Sequence, residues 1–233
     1  MMRLTVLILV CAAIAAPQDK IKTDNVTVAL SDPAKPATVK ARLISGNITV
    51  TVGSGPEVVV GTGVNTVPDG GRGAGRKTPP GMHRIDAAGQ SFKVEEDHNT
   101  VQIGTERASQ NVNLLIQVPV NTSLEVETTN GSIAVTNVSG AISARTLNGS
   151  VTVSLDHPSP DKPMFFSTLN GKIDVTLPAD TKARLRLKAT NGAIYSDFDV
   201  KVEADGTRSI NGGGPDYSFQ TTSGTILIHS AAK

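Results

Sequence analysis

A short phrase, Asn-Gly or Ser-Gly followed by alternating apolar residues, occurs six times along the chain. The copies are LISGNITV (43–50), TNGSIAV (129–135), LNGSVTV (147–153), LNGKIDV (169–175), TNGAIY (190–195) and TSGTILI (222–228). Gly131, Gly149, Gly171 and Gly192 are separated by 18, 22 and 21 residues, and Gly140 lies midway between the first two. Repetition at such spacing is typical of stacked repeats, so it limits the fold before it indicates any chemistry.

Two folds fit the phrase. Asn-Gly is the commonest two-residue hairpin turn, which allows an antiparallel β-sandwich or meander. A β-solenoid, a parallel β-helix-like stack with Asn-Gly and Ser-Gly corners, also explains why the phrase returns at every second turn. We favour the solenoid and expect a hydrogen-bonded ladder at its corner, formed by Asn130, Asn148, Asn170 and Asn191. The strand at 225–229 is expected to close one end of the stack.

Composition supports an all-β class. Thr, Val, Ile, Ser, Asn and Gly are abundant, aromatic residues make up 3% of the chain, and tryptophan is absent. Strand formers and turn formers dominate, and no helical periodicity is visible. After each glycine, residues such as Ile133 and Val135 alternate with polar ones, so one side of each strand is predicted to be core and the other solvent-exposed. Such a core is expected to be thin, with Val, Ile and Leu stacked in rows.

The sequence predicts four segments. Residues 1–16 resemble a secretory signal peptide, with Arg3, an apolar run too short for the ~20 residues of a membrane span, and an Ala13-Ile14-Ala15 cleavage site. Residues 17–63 form a first, irregular β region, and residues 64–90 a flexible loop rich in Gly, Pro and Arg. Residues 91–233 form the β-strand repeat domain. Cys11, the single cysteine, lies in the signal segment, so the exported chain is expected to have no thiol.

The ordered series TNGSIAV, VSGAIS, LNGSVTV, LNGKIDV, LPADTKARLRLKATNGAIYSDF and TSGTILI resembles the bacterial putative-adhesin family of β-strand repeat domains, a domain of unknown function. The resemblance covers residues 91–228 well and residues 25–62 more loosely. It implies an exported, non-enzymatic repeat protein with a β-solenoid fold. A resemblance in fold does not by itself establish a ligand.

Few residues of the sequence form a pattern typical of a catalytic or binding site. The loop GGRGAGRKT at 70–78 imitates a phosphate-binding turn, but Arg76 stands where the glycine before the lysine is needed. Arg72, Arg76, Lys77, Arg84 and His83 give the same loop a local positive charge. His83, His98, His157 and His229 show no metal-ligand spacing. Asp197 and Asp199 were expected to share one strand face, and with Asp174 they are too sparse to predict catalysis.

The sequence therefore predicts no enzyme, no cofactor and no metal or catalytic residue. The net charge of +1 provides no long-range field for nucleic acid. We expect an adhesin-like structural or binding module of the bacterial cell envelope, periplasmic, cell-surface or extracellular, with carbohydrate or an envelope protein as partner and no transmembrane anchor. The alternative is an envelope-stress or signalling accessory whose basic loop at 64–90 docks a membrane or protein partner.

Overall fold

The computed structural model describes residues 25–62, 92–105, 111–204 and 206–231. The predicted signal segment and the whole of the predicted loop at 64–90 lie outside these residues. Within the described ranges the chain forms 19 strands. The strands up to the regular repeats are β1 (Val26–Val28), β2 (Thr38–Ser45), β3 (Ile48–Val52), β4 (Val58–Thr62), β5 (Phe92–Asp97), β6 (Thr100–Thr105) and β7 (Leu114–Val118). The repeat strands are β8 (Ser123–Asn130), β9 (Ile133–Thr136), β10 (Ile142–Asn148), β11 (Val151–Ser154), β12 (Met164–Asn170) and β13 (Ile173–Pro178). They are followed by β14 (Ala183–Asn191), β15 (Ile194–Ser196), β16 (Lys201–Val202), β17 (Arg208–Ile210), β18 (Asp216–Ser223) and β19 (Ile226–Ala231).

The strands form two sheets that enclose the core between them. The ten-stranded sheet has the order β16-β17-β14-β18-β12-β10-β8-β2-β6-β5, and the nine-stranded sheet has the order β1-β4-β7-β3-β9-β11-β13-β19-β15. The inner strands of each sheet are parallel, and antiparallel strands cover both ends of the ten-stranded sheet and the β1 end of the nine-stranded sheet. A meander would pair consecutive strands antiparallel, so the all-β solenoid predicted from the repeat is confirmed.

Each turn of the solenoid, here called a rung, is one strand of the ten-stranded sheet, a glycine corner and one strand of the nine-stranded sheet. In the rung β10–β11 the corner is Gly149-Ser150, and in β12–β13 it is Gly171-Lys172. All six copies of the phrase lie at this corner, and each connection between its two strands is two residues long. The corner is therefore the invariant part of the repeat.

Glycine is required at this corner because neighbouring rungs touch there through backbone atoms. A Cβ on Gly131 would lie 1.9 Å from the carbonyl oxygen of Gly46, and one on Gly149 would lie 2.0 Å from that of Gly131. Gly171, Gly224 and Gly192 continue the same contact along the stack. No side chain fits at such distances, since real Cβ atoms essentially never approach within 3.0 Å.

Two rows of polar side chains connect the rungs beside the glycines. Asn148 Nδ2 donates to Asn130 Oδ1 at 2.9 Å, and Asn170 Nδ2 donates to Asn148 Oδ1 at 3.0 Å. The predicted asparagine ladder is thus confirmed for three members, but Ser223 lies between Asn170 and Asn191. The second row was not predicted. The hydroxyls of four buried threonines donate to the glycine carbonyls of the adjacent rung: Thr128, Thr146, Thr168 and Thr221.

The opposite corner, here called the variable corner, returns the chain to the ten-stranded sheet. Its connections differ in length, from the four residues 179–182 to the nine residues 155–163. The 18-residue and 22-residue spacings in the sequence reflect the connections 137–141 and 155–163, because the glycine corner is constant. Close backbone contacts occur here too, since a Cβ on Gly140 would lie 2.2 Å from the Thr122 carbonyl oxygen, and one on Gly214 would lie 2.4 Å from that of Lys182.

The order of rungs in space differs from their order in sequence. The rung β18–β19 lies between β12–β13 and β14–β15, and the rung β2–β3 lies between β6–β7 and β8–β9. The prediction that the strand at 225–229 closes one end is therefore wrong, since β19 pairs with both β13 and β15. The physical reason is that the Ser-Gly corner at Gly224 packs against a neighbouring rung as the Asn-Gly corners do.

The core consists of inward side chains stacked in rows along the solenoid. One row is fully buried and runs through the nine-stranded sheet: Leu114, Ile48, Ile133, Val151, Ile173 and Ile226. Phe166 and Phe219 pack with ring centroids 5.3 Å apart on neighbouring strands, so aromatic rings contribute where a thin aliphatic core was expected. Tyr217 is 1% exposed, and burial raises the pKa of its hydroxyl to about 12.

Candidate functional site

The outward side of the ten-stranded sheet, here called the broad face, presents side chains in rows across the parallel strands. Register places Lys40 beside Glu125, and Arg42 beside Glu127, which in turn lies beside Arg145. The Lys40–Glu125 and Arg42–Glu127 ion pairs measure 3.1 and 2.8 Å, and Arg145 lies 3.9 Å from Glu127. Exposed pairs of this kind contribute only about 0–1 kcal/mol each to stability, so their main effect is to set the charge pattern of the surface.

An open hollow of about 390 Å³ lies on the broad face near β5 and β6, and we call it the balanced hollow. It is open because Gly104 of β6 has no side chain, and a Cβ there would meet no atom within 4 Å. Its lining includes three cations and three carboxylates: Lys40, Arg42, Lys93, Glu95, Glu125 and Glu127. The charges in this hollow cancel.

A second hollow of about 700 Å³, here called the basic hollow, lies at the other end of the broad face. The ARLRLK stretch of β14 alternates, so its leucines face the core while Arg184, Arg186 and Lys188 face outward. Arg208 of β17, which pairs with Leu185, also lines this hollow. Among the described residues the one lining carboxylate is that of Asp216, whose oxygens lie 3.3 Å from Arg184 Nε and 3.1 Å from Arg186 Nη2.

Three large apolar side chains are exposed in one row of the broad face, beside the glycine corner. Ile44, Leu147 and Leu169 are each 44–49% exposed, and Thr129 and Thr222 lie in the same shallow groove. We call this set the apolar row. Farther from the corner, the guanidinium of Arg145 lies 4.6 Å from the ring centroid of Phe165, which is a cation–π distance. The broad face thus combines charge, exposed apolar surface and one half-buried ring.

The outward side of the nine-stranded sheet carries a histidine between two carboxylates. His229 Nδ1 lies 2.9 Å from Asp197 Oδ2, and His229 Nε2 lies 3.6 Å from Asp174 Oδ1. The hydrogen bond from His229 holds the pKa of the Asp197 carboxyl below its usual value of 3.8. The sequence did not predict this group, because β19 was not expected between the strand of Asp174 and the rung that leads to Asp197.

Asp197 and Asp199 were predicted to share a strand face, and this prediction is wrong. β15 ends at Ser196, and both carboxylates follow it in a bend. Of the two, Asp197 contacts His229, and Asp199 makes no hydrogen bond or ion pair with the described residues. The short strand results from the exposed position of β15 at the edge of its sheet, where it pairs with β19 alone.

The other sequence candidates either lie outside the described residues or lie away from these surfaces. The loop at 70–78, with Arg72, Arg76 and Lys77, lies outside the described residues, and so do His83 and Arg84. His98 contacts Asp97 at 2.5 Å in an exposed turn. In the part of the chain that the structure describes, no three His, Cys, Asp or Glu side chains are placed to hold a metal ion. The same residues include no helix long and apolar enough to cross a bilayer.

A crystal structure of a putative cell adhesion protein from Clostridium sporogenes ATCC 15579 has a similar fold, with a TM-score of 0.62 over 90% of this chain and 100% of that one. Sequence identity is 12%, so the likeness concerns the fold. A putative adhesin from Bacteroides fragilis NCTC 9343 aligns over 93% of this chain and 100% of its own, with a TM-score of 0.35 and 9% identity. Comparison with curated proteins found no match. The family model described as Toastrack DUF4097 matches residues 14–229, so the chain belongs to the Toastrack DUF4097 family.

Proposed function

We propose that this protein is an exported, non-enzymatic, adhesin-like module of the bacterial cell envelope that binds carbohydrate or an envelope protein through its broad face. The observation that carries the proposal is the broad face itself, where exposed apolar side chains and charged side chains lie in continuous rows on rigid parallel strands. Weak contacts that repeat along such a surface favour an extended partner. The similar fold of the Clostridium protein, described as a putative cell adhesion protein, supports the same class.

Export is proposed from the sequence of residues 1–16, which has the basic start, apolar run and small-residue cleavage site of a signal peptide. Placement in the periplasm, on the surface or outside the cell follows from export. The alternative, a signalling accessory that docks through residues 64–90, depends on residues outside the described ranges and stays a prediction.

The experiment that tests binding is an array of bacterial and host glycans and purified envelope proteins, probed with the chain from residue 17 onward. The broad-face variant Leu147→Thr with Leu169→Thr removes two exposed side chains of the apolar row without disturbing the core. The matched control, Leu115→Thr with Tyr195→Thr, removes two exposed side chains from the opposite face. We expect the broad-face variant to lose most binding and the control to retain it.

Two results would overturn the proposal. Equal loss of binding in both variants would show that recognition does not depend on the broad face. Absence of any glycan or protein ligand for a folded wild-type chain would remove the binding role. Thermal unfolding of each variant checks that the fold is intact, since Thr is a good strand former.

A further inference from the structure

We propose that the basic hollow is a binding site for a linear anionic polysaccharide, one that carries carboxylate or sulfate groups. This inference rests on the proposed function, because it names the ligand class for one end of the broad face. The cations that define the site are Arg184, Arg186, Lys188 and Arg208.

The first argument is charge. Among the described residues, the basic hollow has four cations and one carboxylate in its lining, whereas the balanced hollow has three of each. Asp216 is shared by Arg184 and Arg186, and neither Lys188 nor Arg208 forms an ion pair with a described residue. Both of these cations are exposed. An anionic ligand therefore meets two charges that no described carboxylate pairs with.

The second argument is spacing. Alternate residues of a strand lie about 6.6 Å apart on one face, so Arg184, Arg186 and Lys188 form a straight line of charge about 13 Å long. Arg208 lies across the hollow on β17. A linear polymer with regularly placed anionic groups fits such a line better than a compact anion does.

The third argument is the free backbone at the floor of the hollow. β17 pairs with β14 over Ala183–Leu185, while β14 continues to Asn191. The Arg184 N–H donates to the Pro215 carbonyl oxygen, on the β18 side of β14. Because the backbone groups of a strand alternate in direction, the N–H and C=O groups of Leu187 and Ala189 point to the opposite side, which β17 has left. These groups are positioned to hydrogen-bond sugar hydroxyls.

The lining favours polysaccharide over nucleic acid or membrane. Single-stranded nucleic acid is usually held by stacking on exposed aromatic rings, and the aromatic residue that lines this hollow, Phe219, is fully buried. Insertion into a membrane surface needs exposed apolar side chains, but Leu185 is 2% exposed. Charge and hydrogen bonding remain as the available contacts.

The test measures affinity of the chain from residue 17 onward for dextran sulfate, polygalacturonate, neutral dextran and oligo-dT. We expect binding to both anionic polysaccharides and none to neutral dextran. The variant Lys188→Gln with Arg208→Gln should weaken binding about tenfold or more, since two charge-assisted contacts are lost. Asp216→Asn should tighten binding because the competing carboxylate is removed. Raising the salt from about 50 to 300 mM should weaken the wild type.

The matched control is Lys35→Gln with Lys172→Gln, which removes the same charge from exposed positions outside the broad face. Its affinity should stay within about twofold of the wild type, since screening limits charge effects to about 10 Å. Equal weakening in both double variants would show non-specific charge attraction and overturn the inference. Tighter binding to oligo-dT than to either polysaccharide would also overturn it.

Failure here is distinguishable from failure of the proposed function. If the array finds a ligand that the apolar row recognises while both anionic polysaccharides are ignored, the inference is wrong and the proposed function stands. Thermal unfolding of Lys188→Gln with Arg208→Gln checks that this variant keeps its fold. Retained affinity in Lys188→Arg with Arg208→Lys shows that the charge is what the ligand requires.

Discussion

The glycine corner and the variable corner perform the same task, turning the chain from one sheet to the other, under opposite constraints. At the glycine corner adjacent rungs touch through backbone atoms, so every connection has two residues and a glycine. At the variable corner the connections range from residues 179–182 to residues 155–163, and close backbone contacts occur at Gly140 and Gly214. Close backbone packing between rungs therefore restricts the sequence of a corner more than the chain reversal itself does.

Lengthening each corner should give the largest contrast. Insertion of Gly-Ser between Gly149 and Ser150 should reduce the free energy of unfolding by on the order of 4 kcal/mol or more, because the hydrogen bonds of Gly149 and Val151 to the next rung are displaced. The same insertion after His157 should cost under about 1 kcal/mol, since lengthening a loop is inexpensive. Urea unfolding of both proteins measures this, and equal losses would contradict the comparison.

A single methyl group tests the backbone contact itself. Gly131→Ala should lower the free energy of unfolding by at least about 3 kcal/mol, because its Cβ would lie 1.9 Å from the Gly46 carbonyl oxygen. Gly55→Ala, between β3 and β4 on the variable side, should change it by less than about 0.5 kcal/mol, since the nearest atom is 3.9 Å away. Thermal unfolding compares the two, and a tolerated alanine at 131 would show that the rungs can separate.

The threonine row should have an intermediate effect. Thr168→Val keeps the shape of the side chain but removes the donor to the Gly149 carbonyl at 2.9 Å, which should cost about 1–3 kcal/mol. Thr152→Val on the exposed face of β11 is the control, and it should be neutral or slightly stabilising. Denaturant midpoints measure both, and a neutral Thr168→Val would make the hydroxyl dispensable.

The smallest effect on stability is expected for a substitution of Asp197, the residue that follows β15. Asp197 has a pKa lowered by the hydrogen bond from His229, so its stabilising effect is complete above its usual pKa of 3.8 and is lost as the pH falls through the lower folded-state value. The midpoint temperature of Asp197→Asn should therefore lie slightly below that of the wild type at pH 6 and approach it by pH 2. Asp199→Asn, the control, should follow the wild type throughout. A difference that persists unchanged to pH 2 would exclude the ionised carboxylate as its source.

Much of the glycine corner could be predicted from the sequence, because its constraint is local. The phrase marks all six corners of this kind, so the solenoid, the core alternation and most of the asparagine ladder followed from it. The buried threonines had a visible signal too, since Thr128, Thr146, Thr168 and Thr221 each precede a corner glycine by three residues. That signal was missed because threonine also suits exposed strand positions.

The order of the rungs could not be predicted, since corners of the same chemistry can pack against one another in more than one order. This limited the candidate sites as well. Arg184, Arg186 and Lys188 alternate visibly in the sequence, but Arg208 joins them through the antiparallel return of β17. His229 meets Asp174 and Asp197 because β19 lies between β13 and β15.

The inserted position of β18–β19 has a consequence for biosynthesis. Chains emerge from the ribosome, and cross membranes, in sequence order, so β14 and β15 appear before the strands against which they pack. Until β18 and β19 follow, the preceding rung β12–β13 has an open edge on this side and β14–β15 has no docking partner. Completion of the stack is therefore delayed until the last two strands have emerged from the ribosome.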